Sequence, residues 1–161
     1  MTPIEALHGA YAMLPDRMND PRATLILMAI QLQENPKRLN KQVGGPAVGD
    51  YQFEKSGGIR GVLRHPSSRN WAMNVCAEYG VHPDEESVYG AILSGDDPGL
   101  DAAFARLLLW TDPEPLPPIG DVAGAWNLYL RTWRPGAAKR DYDNLRRKWS
   151  VNYAKAMEIV R

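Results

Sequence analysis

The sequence predicts a single α+β domain that is predominantly helical, and three observations carry that prediction. Most of its apolar residues recur at helical spacing, and several of these stretches open on a capping residue or a proline. The exception is residues 37–58, a stretch rich in Gly, Asn and Lys that is the only place for a small β-hairpin or a long ordered loop. The chain has 161 residues, the length of one domain, and can bury about two thirds of the surface that its unfolded form exposes.

The elements follow in order. Thr2-Pro3 opens a helix over residues 2–13, with Ile4, Leu7, Ala10 and Tyr11 on one face. Asn19-Asp20-Pro21 starts a second over 21–34, because Asp accepts from free backbone N–H groups and Pro at the first position has none to lose. Leu25, Ile26, Leu27, Met28, Ala29, Ile30 and Leu32 leave this helix no polar face, so it belongs inside a core. Pro36 biases Asn35 away from helical dihedrals and ends it at Glu34.

After the loop, which Gly57-Gly58 should close, a short turn covers 59–63 and further helices cover 66–79, 83–93 and 100–110. Residues 112–118 hold four prolines and form an extended connection. This connection is no domain boundary, since the segment beyond it is too small to fold alone, and the domain is read as 1–161. Asp121 caps a helix to Trp133, with Trp126, Tyr129, Leu130 and Trp133 on one face. A last helix over 141–160 turns Tyr142, Leu145, Trp149, Tyr153 and Met157 inward.

Composition excludes several classes. Nineteen basic and nineteen acidic residues balance, so no global field recruits nucleic acid or an anionic membrane. The basic residues from Lys139 to Lys148 read as a solvated face, with an anionic-polymer contact as the other reading. Cys76 is alone, there is no zinc spacing, and His8, His65 and His82 are scattered, so no metal or cofactor is expected. Serine-hydrolase elbows, phosphate loops and dinucleotide loops are absent. The longest apolar run, ending at Leu32, is too short to span a membrane, and residues 1–5 lack the pattern of a signal peptide.

The sharpest functional signal is Glu34. It leaves the last turn of an apolar helix along a stripe formed by Leu27, Ile30 and Gln31, where burial and the negative end of the helix dipole both disfavour a charged carboxylate. A carboxyl kept protonated near neutral pH suits a general acid. On the helix alone a solvated surface role is the favoured reading.

The loop adds a pattern. Gln33-Glu34, twelve intervening residues, then Ala47-x-Gly49-x-x-Gln52 resembles the first signature of the soluble lytic transglycosylases and goose-type lysozymes. The match covers about thirty residues, with Asn35 where the family usually has Ser and Pro46 where it usually has Gly. Ala125-Trp126-Asn127 is similar to the family's Ala-Tyr-Asn block, and Tyr129 can supply the phenol that Trp126 lacks.

The resemblance implies a lysozyme-like fold and cleavage of the glycosidic bond between N-acetylmuramic acid and N-acetylglucosamine in peptidoglycan. Glu34 would be the general acid, with Gln52, Tyr51, Trp126, Asn127 and Tyr129 holding the glycan. Glu54, two residues past Gln52, would share its side of an extended segment and is the preferred candidate for a water-activating base; Asp50 reads as a solvated loop charge. Hydrolysis and transglycosylation both remain open, as do a chitinase-like hydrolase and a non-enzymatic phage structural or ejection protein. With no export signal, delivery to the wall is expected from a bacteriophage, as an endolysin or as a component of the particle beside other virion proteins.

Overall fold

The computed structural model describes residues 1–135 and 141–161. The chain is predominantly helical, and the described residues form eight α-helices: α1 (Pro3–Tyr11), α2 (Pro21–Glu34), α3 (Arg60–Arg64), α4 (Arg69–Glu78), α5 (Glu85–Ser94), α6 (Pro98–Trp110), α7 (Val122–Trp133) and α8 (Tyr142–Ile159). A 3-10 turn at Asp16–Met18 and a turn of π-helix at Lys55–Ile59 complete the regular structure.

Local chemistry sets most boundaries. Thr2 and Glu5 form a reciprocal capping box, and the side chains of Asp20, Asp84, Asp121 and Asp141 each accept a backbone N–H at a helix start. At the end of α2, Asn35 leaves helical geometry with φ −150° and ψ 66°, directly before Pro36. The helix expected from residue 66 begins later, at Arg69. The Ser67 N–H donates to His65 Nδ1 at 3.0 Å and Ser68 Oγ to Val62 O at 2.7 Å, which holds 65–68 as a turn. The helix α7 stops at Trp133, as expected, and Arg134 takes a left-handed φ of 46°.

The β part of the expectation is corrected: no strand forms among the described residues. Residues 35–54 are an ordered loop whose sheet-like pairing is limited to the isolated bridges Lys41–Val48 and Val48–Phe53. Positive φ at Gly44, Gly49 and Gln52 reverses the chain too often for any segment to stay extended over the several residues that a strand needs.

Two helices form the centre. Every residue of α2 from Ala23 to Gln31 is buried, as is every residue of α6 from Gly99 to Leu109. A helix that is apolar on every side belongs inside, as α2 does, and α6 is apolar or small there except for Asp101 and Arg106; a fully buried Leu or Ile contributes roughly 1.5–3 kcal/mol relative to exposure. The first helix packs on α6 and α2, α4 lies on α6, and α8 runs along α2 with α7 against it.

The inward stripe of α8 differs from the one expected. Trp149, Tyr153 and Ala156 are buried and Leu145 is half-buried, whereas Tyr142 and Met157 are 47% and 39% exposed. A polar clamp also holds α8: Gln33 Nε2 donates to Leu145 O at 3.0 Å, and Asn152 Nδ2 donates to Gln33 Oε1 at 2.7 Å. Leu145, Trp149 and Tyr153 face inward as expected, joined by Asn152 and Ala156. In the basic segment, Lys139 lies outside the described residues, as does Arg140; Arg147 and Lys148 are exposed on α8.

Candidate functional site

Glu34 ends α2 half-buried at the edge of the core. The Tyr129 hydroxyl of α7 donates to Glu34 Oε2 at 3.1 Å, across 95 residues of sequence. The Tyr129 ring is itself fixed from α8: it stacks on Trp149 with centroids 5.0 Å apart and planes 7° apart, and Trp126 tilts against both. Trp149 is anchored in turn by its indole N–H, which donates to Val122 O at 3.2 Å. A carboxyl held by a phenol that is wedged between aromatic rings has its direction set before any ligand arrives.

The loop is tied to the same helix end. Asn35, 6% exposed, donates through Nδ2 to Leu39 O at 2.8 Å and to Gly49 O at 2.9 Å, while its Oδ1 accepts the Leu39 N–H at 3.0 Å. Gln31 reinforces the junction by donating to Asn35 O at 3.0 Å.

A second tie comes from α6. Asp101 Oδ2 accepts the Asp50 N–H at 2.8 Å, and Arg38 grips both oxygens of Asp50 at 2.9 Å. Asp101 is buried, its other oxygen has no partner among the described residues, and burial followed by the charge of Asp50 raises its pKa to about 8. Gly49 is required here twice over: its φ is 80°, and a Cβ would lie 2.5 Å from both Asp101 Oδ2 and Ile92 Cγ2.

Several expected site residues lie elsewhere than the extended-segment reading put them. Gln52 sits in a tight turn with φ 54°, and its side-chain amide donates back to Gly49 O at 2.9 Å. A left-handed residue breaks the two-residue alternation, so Gln52 and Glu54 do not share an extended face. Glu54 is exposed and opens onto a pocket lined by Pro46, Lys55, Ser56, Gly57 and Tyr89; Glu34 does not line that pocket.

Tyr51, expected against the glycan, has no exposed surface. Its ring packs between Phe53 and Trp133, and its carbonyl accepts the Trp133 indole N–H at 2.9 Å. Trp126 is 8% exposed and belongs to the core, because the stripe at helical spacing faces α8. Asn127 is exposed on α7. Asp50, read as a solvated charge, is buried in its ion pair with Arg38.

Sequence reasoning missed Asp101 and Trp133 as supports of the loop. Nothing local marks them, since their partners lie 51 and 82 residues away. Among the described residues, no group of three or more His, Cys, Asp or Glu side chains could hold a metal, and no helix is long and apolar enough to cross a membrane. No protein-family model, curated protein or solved structure matches this chain.

Proposed function

We propose that the protein is a peptidoglycan-cleaving muramidase of lysozyme-like fold, acting on the bond between N-acetylmuramic acid and N-acetylglucosamine with Glu34 as general acid. The observation that supports this reading is the Glu34 carboxyl itself: half-buried, held by Tyr129 at 3.1 Å, and beside a loop fastened to the same helix end through Asn35. Protonation of a glycosidic oxygen needs an acid that points one way, and the phenol supplies that direction.

In the first step the Glu34 proton passes to the leaving oxygen as the bond to the anomeric carbon breaks. In the second, the carboxylate accepts a proton from the attacking hydroxyl, which is water in hydrolysis and the muramyl 6-hydroxyl in transglycosylation. A bacteriophage endolysin or virion component is the setting that fits such a substrate. The test is digestion of purified sacculi. Glu34→Gln should lower the clearing rate at least about 100-fold, and mass spectra of the products separate reducing ends from anhydromuropeptides. Unchanged clearing by that variant would reject Glu34.

One observation favours a second reading. The Gln52 amide is engaged by its own loop and the expected aromatic platform is buried, which suits a wall-binding phage structural protein that keeps the body without the chemistry. On zymograms of sacculi, binding without a cleared band would select it.

A further inference from the structure

At the opposite end of α2 from Glu34, a pocket of about 330 Å³ lies between the helix start, the last turns of α6 and the proline-rich connection. At its base is Arg106, 1% exposed, whose only hydrogen bond within the described residues runs from Nε to Met18 O at 2.7 Å. Among the described residues its two terminal nitrogens make no hydrogen bond and no ion pair. Burial pushes the guanidinium's pKa down, while Tyr11 and Asp20 pull it back up. A buried cation with idle donors is costly unless something with lone pairs meets it.

The surroundings narrow what that is. The Arg106 and Arg17 guanidinium carbons each lie 5.5 Å from the Trp110 ring, so the indole buttresses both cations. Three acids also line the pocket, and two are already committed: Asp20 binds Arg22 at 2.6 Å, and Asp112 binds Arg131 through both oxygens at 3.0 Å. Glu114 is exposed and has no ion pair among the described residues, so Arg106 and Arg17 outnumber it by a single charge.

We propose that this pocket binds one carboxylate group, received by the terminal nitrogens of Arg106 with Arg17 at the mouth. A planar carboxylate matches the two parallel donors of a guanidinium fork, and a single negative charge matches the surplus of one. A phosphate dianion would exceed that surplus and leave the pocket net negative beside Glu114. The site is remote from Glu34 and stands whether or not the chain cleaves glycans.

Acetate, inorganic phosphate at pH 8 and chloride, titrated into ¹⁵N-labelled protein at fixed ionic strength, test this through the Arg106 Nε–H and Trp110 indole N–H signals. Acetate should shift both saturably with a Kd on the order of millimolar, phosphate should bind at least about 3-fold more weakly, and chloride should not saturate. Arg106→Lys should weaken acetate about 10-fold or more. Should that variant not fold, the surface change Glu114→Gln tests the same charge balance and should tighten acetate about 2- to 5-fold. Shifts that never saturate, tighter binding of phosphate than acetate, an unaltered affinity in folded Arg106→Lys, or no tightening in Glu114→Gln would each overturn the proposal.

Discussion

At the end of α2, Asn35 holds the following loop with three hydrogen bonds and uses both its N–H donors and its oxygen; at the start of α6, Asp101 holds the same loop with one bond and keeps an oxygen without a partner. An amide can be buried and satisfied at any pH. A carboxyl in the same position must either take up a proton or lose its hydration as an anion. One fastening is therefore indifferent to pH and the other is tied to it, though both act on neighbouring residues, Gly49 and Asp50.

The most damaging way to break the contrast is Asn35→Ala. It removes three bonds and strands the carbonyl and N–H of Leu39 at a junction, so unfolding in urea should show a loss of roughly 2–4 kcal/mol; less than about 1 would mean the loop is held mainly by α6. Next is Gly49→Ala, which forces a Cβ into Asp101 and Ile92 at left-handed φ and should cost roughly 2–3 kcal/mol by the same measurement.

Asp101 sharpens the comparison through pH. With its carboxyl raised from 3.8 to about 8, the folded chain holds one more proton than the unfolded chain between those values, so stability should fall as pH rises across them. The slope from this one group is at most about 1.4 kcal/mol per pH unit, and Asp101→Asn should flatten it in chemical denaturation repeated at pH 5, 6, 7 and 8. A slope unchanged in that variant would show that another group carries it. Asp20 and Asp84 act in the other sense, since hydrogen bonds lower their pKa values and their contribution disappears only in more acid solution. The smallest effect on stability should come from Tyr129→Phe, within about 1 kcal/mol, because the stacked ring remains. Its wall-clearing rate should nonetheless fall about 10-fold if the hydroxyl orients Glu34.

The same contrast explains what was legible in the sequence. The extent of α2, its burial on all sides and its stop at Glu34 follow from Pro21, an unbroken apolar run and Pro36, all within one segment. The aromatic face of α7 was equally plain, but periodicity cannot say whether a stripe meets solvent or another helix, and here it meets Trp149. The loop defeated local reasoning because Gln52 adopts a left-handed φ that its residue type does not announce, and because Asp101 and Trp133 act from distant helices. On α8 the apolar pattern placed Leu145, Trp149 and Tyr153 inward, but it overreached at the ends, where Tyr142 and Met157 are exposed, and gave no sign of the bond from Asn152 to Gln33.

The clamp between Gln33 and α8 has a consequence for how the molecule comes into being. The phenol that orients Glu34 is wedged by a tryptophan on α8, which leaves a ribosome after α1 to α7, and the helix bearing Glu34 is bonded to residues up to 119 positions downstream. A nascent chain that has reached only α7 holds both partners of the acid and phenol pair and yet lacks the wedge and clamp that align them. Assembly of that end of the protein therefore waits until α8 has been made.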